Sequence, residues 1–114
     1  MDYADRLANA DRPEDAIPIL NAVVKKDPSS KLAYRKLAEA NKTIDNLKDA
    51  AEAYEALFKI DPRDTRVAID LSDVYLENDQ YGKALRWADK AISLNGNTGD
   101  GYSQQGKVFH YGWD

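Results

Sequence analysis

Apolar residues along the chain fall at helical spacing and are interrupted at regular intervals. Tyr34, Leu37 and Ala38, then Leu47, Ala50, Ala51, Tyr54, Leu57 and Phe58, recur at i, i+3, i+4 and i+7, which places them on one stripe of an α-helix. The interruptions are Asp27-Pro28, Asp61-Pro62 and Asn95-Gly96, each pair 34 residues after the last. Such pairs stop helices, because proline has no amide hydrogen to give and glycine or asparagine accepts the conformations that end a helix. Between them, the joints at 43–50 and 76–84 supply Asp, Asn and Gly where one helix must stop and another start. The spacing predicts helices near 2–10, 13–26, 30–43, 46–60, 64–77, 80–94 and 100–112.

The same period runs through the residues inside the helices. Ala16, Ala50 and Ala84 recur at 34, as do the small residues Ala4, Ala38, Ser72 and Gly106, which would let paired helices approach closely. Larger apolar residues keep register around them: Leu37 with Leu71, Leu57 with Val23 and Ala91, Tyr34 with Tyr102, Leu47 with Tyr81. Each period is a pair of amphipathic helices. One such pair buries too little apolar surface to offset an ordering entropy of about 1–2 kcal/mol per residue, so neighbouring pairs must stack into a solenoid.

With these features the chain resembles the tetratricopeptide repeat family. The 34-residue period matches, and so do a small residue followed by an aromatic in the first helix (Ser72 and Tyr75, Gly106 and Phe109), alanine in the second (Ala16, Ala50, Ala84) and a closing proline (Pro28, Pro62). Asn41 departs from the pattern where the family usually has an aromatic, and Asn95-Gly96 replaces the last Asp-Pro. Ala88 also stands in an aromatic's place, beside Trp87, which is expected to fill that volume. The resemblance implies an all-α fold, an α-solenoid of antiparallel helix pairs with about seven helices wound as a right-handed superhelix. The expected organisation is a single domain over 1–114, with a truncated first repeat at 1–28, repeats at 31–62 and 65–96, and at 99–114 the first helix of a fourth repeat or a capping helix. Both ends are read as cut in mid-pattern, the mark of a piece of a longer chain.

Composition narrows the functions. At 114 residues the chain has the size of one domain, and 16 basic against 20 acidic residues give a net charge of -4. That sign disfavours a nucleic-acid backbone as partner. There is no cysteine, which removes disulfides, thiolate metal sites and cysteine nucleophiles. No apolar run has the length of a membrane span and Met1-Asp2-Tyr3 does not open a signal sequence, so a cytoplasmic protein with no membrane contact is expected. Five of the six glycines, Gly96, Gly99, Gly101, Gly106 and Gly112, lie in the last 19 residues. Each interior one costs a helix about 0.5–1 kcal/mol relative to alanine, so the last helix is expected to be the least stable.

Candidate chemistry is sparse. His110 is the only histidine and has no companion ligands, and the segment 95–101 lacks the Lys-Ser/Thr ending and preceding strand of a phosphate loop. Asp70, Asp73 and Glu77 share one helix face, yet three carboxylates on a straight helix cannot wrap a hard cation. Nor do they flank a cleft as a glycosidase pair does. The expectation is no enzyme, no metal and no cofactor.

What the family resemblance implies instead is a concave groove, lined by the first helix of each repeat, that binds a peptide segment of a protein partner. The groove positions would be Leu32, Arg35, Lys36, Glu39 and Lys42, then Arg66, Ile69, Asp70, Asp73, Leu76 and Glu77, then Asp100, Ser103, Gln104 and Lys107. One branch of the family grips the C-terminal carboxylates of heat-shock chaperones with basic and amide side chains. Here Glu39, Asp70, Asp100 and Gln104 occupy the positions such a clamp would need, which argues against that ligand. Arg35 with Glu39 and Arg66 with Asp70 have the i, i+4 spacing of ordinary surface pairs, whereas Asp73 with Glu77 places like charges together. Beside Ile69 and Leu76, that acidic and apolar spot is expected to meet a basic, apolar segment. The competing readings are end-to-end self-association through Tyr3 and Leu7 at one end and Tyr102, Phe109 and Trp113 at the other, and service as the targeting arm of a larger enzyme.

Overall fold

The computed structural model describes residues 13–95 and 99–112. Among them are six helices: α1 (Pro13–Lys26), α2 (Lys31–Thr43), α3 (Leu47–Ile60), α4 (Thr65–Glu77), α5 (Tyr81–Leu94) and α6 (Asp100–Gly112). Each lies within a residue or so of its predicted span, while the helix expected at 2–10 falls outside the described residues. No strand occurs among the described residues.

The turns after α1 and α3 are built alike, which accounts for the recurring Asp-Pro. Asp27 Oδ1 accepts from Ser29 N (3.2 Å) and its carbonyl accepts from Ser30 N (3.2 Å). Asp61 does the same with Arg63 N (3.4 Å) and Asp64 N (3.2 Å). Proline fixes φ in between, and the residue two further on caps the next helix. Ser30 Oγ accepts from Ala33 N (3.2 Å), while Asp64 Oδ1 accepts from Arg66 N (3.1 Å) and Val67 N (3.4 Å). The joints inside each repeat are copies too. Asn46 N donates back to Asn41 O and Gln80 N to Tyr75 O, both at 2.8 Å, around Asp45 (φ 66°) and Asp79 (φ 60°). This is a helix terminator that usually employs glycine at the left-handed position.

The chain divides into two compact units, residues 1–60 and 61–114. In the first, α1 packs on α2 and α2 on α3, around buried Ala16, Leu20, Ala33, Leu37, Ala38, Ala50, Tyr54 and Leu57. α1 continues through Pro18, which is exposed. In the second unit, α4 packs on α5, and α6 packs on both, around Val67, Leu71, Val74, Tyr75, Ala84, Ala88, Ala91 and Val108. Trp87 is half-buried next to Ala88.

The small-residue rule holds at Ala38 and Ser72, both fully buried, and fails at Gly106. A Cβ on Gly106 would meet nothing within 4 Å, because no described helix covers that face of α6. Close approach occurs instead at Gly101, where a Cβ would lie 2.8 Å from Ile92 Cγ1 and 3.0 Å from Ile92 N. Gly101 therefore lets α6 lie against the backbone of α5, a gain that its cost in helix propensity does not reveal.

Candidate functional site

In the second unit, α4 and α6 run side by side and present the predicted groove residues to each other. Asp73, midway along α4, is their meeting point. Its Oδ1 accepts from Gln104 Nε2 (2.9 Å) and from Lys107 Nζ (2.9 Å), both on α6. Gln104 Nε2 also donates to Ser72 Oγ (3.1 Å), and Ser72 Oγ donates to the Ala84 carbonyl of α5 (2.7 Å). One polar chain thus ties three helices. Gln104 is 6% exposed and Ser72 is fully buried, so the network lies inside the packing and fixes the position of the Asp73 carboxylate.

Two clefts open on either side of the Asp73–Lys107 pair, which contributes to the lining of both. The first, about 310 Å³, is bounded by Arg66, Ile69, Asp70, Asp100, Ser103 and Gln104. The second, about 370 Å³, is bounded by Leu76, Glu77, Asp79, Tyr81 and Tyr111. Acidic side chains exceed basic ones in each: Asp70, Asp73 and Asp100 against Arg66 and Lys107, then Asp73, Glu77 and Asp79 against Lys107. The Tyr81 hydroxyl donates to Asp79 Oδ1 (3.1 Å), and this hydrogen bond, with the repulsion of the carboxylate, pushes the phenol above its ordinary pKa.

The structure brings Arg66, Ile69, Asp70, Asp73, Ser103, Gln104 and Lys107 to one cleft and Leu76 and Glu77 to the adjoining one. Two of them differ from the open groove positions expected of them. Leu76 is buried, and Gln104 spends its amide within the protein. Asp73 and Glu77 were expected to repel each other as neighbours on one helix. Lys107, 34 residues on in sequence, offsets the Asp73 charge instead. Arg66 and Asp70 do form the anticipated i, i+4 pair, at 3.8 Å. In the first unit, Leu32 and Glu39 are exposed and Arg35, Lys36 and Lys42 half-buried along α2. Asp79, Tyr81 and Tyr111 were not among the expected groove residues, although Asp79 and Tyr81 stand in the joint that the period marks.

Among the described residues no group of three His, Cys, Asp or Glu side chains could hold a metal ion, and no helix is long and apolar enough to cross a membrane. Paired helices with hydrogen-bonded joints, repeated along the chain, define a helical-repeat protein. The tetratricopeptide repeat family profile matches residues 45–102, and a second profile of that family matches residues 1–40. The chain belongs to the tetratricopeptide repeat family.

No curated protein sequence matches the chain. Among solved structures, a crystal structure of MamA protein is similar with a TM-score of 0.82 at 25% identity, over 95% of this chain and 59% of that one. A second crystal structure of MamA gives 0.83 at 25% identity, over 94% and 63%. The chain thus spans about three-fifths of the length of these MamA chains. The TPR2B domain of yeast Sti1, in a pHsp70 complex, shares the fold with a TM-score of 0.77 at 16% identity, over 96% of this chain and 90% of that one. The fold class is accordingly the all-α helical solenoid of this family.

Proposed function

We propose that the face formed by α4 and α6 binds a peptide segment of a partner protein, and that the segment carries a basic side chain next to an apolar one. The observation that carries this reading is the fixed Asp73 carboxylate, held by Gln104 from within and by Lys107 at the surface, between two clefts in which acidic side chains still exceed basic ones. A carboxylate already oriented by a buried network loses little freedom when a ligand binds it. Ile69 and the tyrosines supply apolar surface on either side of it. The fold shared with the Sti1 domain, which is seen in a pHsp70 complex, supports the binding of a partner segment. The excess of acidic groups supports a ligand of charge opposite to a carboxylate tail.

Selection from a random peptide library with the whole chain tests this. Enriched peptides should contain lysine or arginine next to an apolar residue, and Asp73→Asn with Glu77→Gln should weaken them about tenfold, with a stronger effect at low salt. Enrichment of acidic peptides, or affinity that ignores both substitutions, would overturn the reading.

A second reading, self-association, is favoured by Tyr102 and Phe109, which are 55% and 46% exposed on α6; Trp113 lies outside the described residues. A mass that rises with concentration and returns to the monomer value in Tyr102→Ser with Phe109→Ser would establish it. A constant monomer mass would remove it.

A further inference from the structure

The first unit lacks the buried ring that the second has at Tyr75, and it carries its second-helix aromatic one position later, as Tyr54 in place of Ala88. Shifted by 34 residues, Asn41 corresponds to Tyr75 and Ala53 to Trp87. In the second unit Tyr75 is buried and Trp87 half-buried, and Lys83 Nζ lies 5.4 Å from the centre of the Tyr75 ring. In the first unit the corresponding positions border an open cleft of about 210 Å³, walled by Ile17, Asn21, Leu37, Asn41 and Ala53 and rimmed by Asp49 and Glu52. A cavity of about 150 Å³ is enough to hold benzene, so this one has room for a substituted ring.

Two polar features say what kind of ring. Asn41 is 4% exposed, and its Nδ2 donates to the Leu37 carbonyl at 3.0 Å. Its Oδ1 has no donor among the described residues. A buried amide oxygen without a partner costs free energy that a ligand's donor would recover. The rim carries the second feature. Asp49 and Glu52 correspond to Lys83 and Arg86, so the charge at the mouth is the reverse of that in the filled repeat. None of Leu32, Arg35, Lys36 or Glu39 lines this cleft, which makes it a different place from the predicted groove.

We infer that the cleft beside Asn41 is a docking site for an aromatic side chain bearing a hydrogen-bond donor, tyrosine or tryptophan, presented by a partner segment with lysine or arginine next to it. The second unit provides from its own chain what the first receives from the partner: a ring packed between helices with a cation beside it. The ring fills the cleft beside Asn41, its hydroxyl or indole N–H donates to Asn41 Oδ1, and the flanking cation meets Asp49 and Glu52.

The test is an NMR titration of the isotope-labelled full chain with p-cresol, with toluene and with a capped Lys-Tyr-Lys tripeptide. p-Cresol should shift the amides of Ile17, Leu37, Asn41 and Ala53 with a Kd on the order of 1 mM. Toluene, without the donor, should bind about tenfold more weakly. The tripeptide should bind more tightly than p-cresol and lose that advantage in salt. Asn41→Tyr, which restores the residue of the second unit, should abolish all three. Asn41→Leu, which keeps an apolar wall without the acceptor, should bind p-cresol and toluene alike and serves if Asn41→Tyr fails to fold. Equal binding of p-cresol and toluene to the unsubstituted chain, or shifts confined to residues after Ile60, would overturn the site. Binding of p-cresol without the tripeptide would overturn its assignment to a protein segment. All reporters belong to the first unit, so failure of the α4–α6 reading does not move them.

Discussion

Replacing Gln104 with methionine should cost more stability than replacing Lys107 with methionine, although Lys107 carries the charge. Methionine keeps the length of glutamine and removes two hydrogen bonds: a neutral one to Ser72 Oγ at 3.1 Å and a charge-assisted one to Asp73 Oδ1 at 2.9 Å. Their net worth is about 0.5–1.5 and about 1.5–3 kcal/mol. Neither partner is left alone, since Ser72 still donates to Ala84 O and Asp73 keeps Lys107. The expected loss is therefore at the low end, about 2 kcal/mol. Lys107→Met breaks an ion pair whose lysine side chain is 49% exposed, and such pairs are worth about 0.2–1 kcal/mol. Native-state hydrogen exchange on α6 reads both. Protection should fall roughly 30-fold for Gln104→Met and less than about fivefold for Lys107→Met. The double variant should deviate from additivity, because both donors use the same oxygen. If Gln104→Met proved no more damaging than Lys107→Met, the buried network would not be what holds α6 on α4.

Two glycines of α6 should respond to alanine with opposite signs. Gly106→Ala adds a Cβ to open space and should stabilise by up to about 1 kcal/mol, whereas Gly101→Ala drives one into Ile92 and should destabilise by about 1–3 kcal/mol in urea unfolding. Asp45→Gly relieves a left-handed residue at φ 66° and should raise stability by about 0.5–1 kcal/mol, read as a higher thermal midpoint. Tyr81 should titrate above the ordinary tyrosine range, because its protonated phenol donates to Asp79, and Asp79→Asn should bring it back down in a spectrophotometric titration. The contribution of that contact is fully present below the ordinary tyrosine pKa. It is lost as pH rises through the raised one.

The helices and their joints were legible in the sequence because they are decided locally. A proline, a capping Ser30 or Asp64 and an apolar stripe act over a few residues, and their repetition at a fixed interval makes each occurrence support the others. Charge and the missing cysteine were legible for the same reason: they need no geometry. The family resemblance put Asp73, Gln104 and Lys107 among the groove residues, but it read Gln104 as groove surface, and the i, i+4 spacing read Asp73 as a repelled charge. Which side chain meets which across a helix interface depends on how far one helix slides against another. No single helix carries that information.

Three features were settled only by tertiary structure. Gly101 and Gly106 look equivalent as helix weaknesses; the position of α5 under one and of no described residue under the other separates them. Asn41 reads in sequence as a departure from the aromatic pattern, and packing shows that the departure leaves a cleft and an amide oxygen with no donor among the described residues. The Asp73 network needs three helices at once. The sequence alone determined the period, the helix limits and the absence of cysteine chemistry, since these follow from short-range dihedral preferences and composition. Packing decided where space and unpaired polar atoms remain, because those depend on distances between segments that are far apart along the chain.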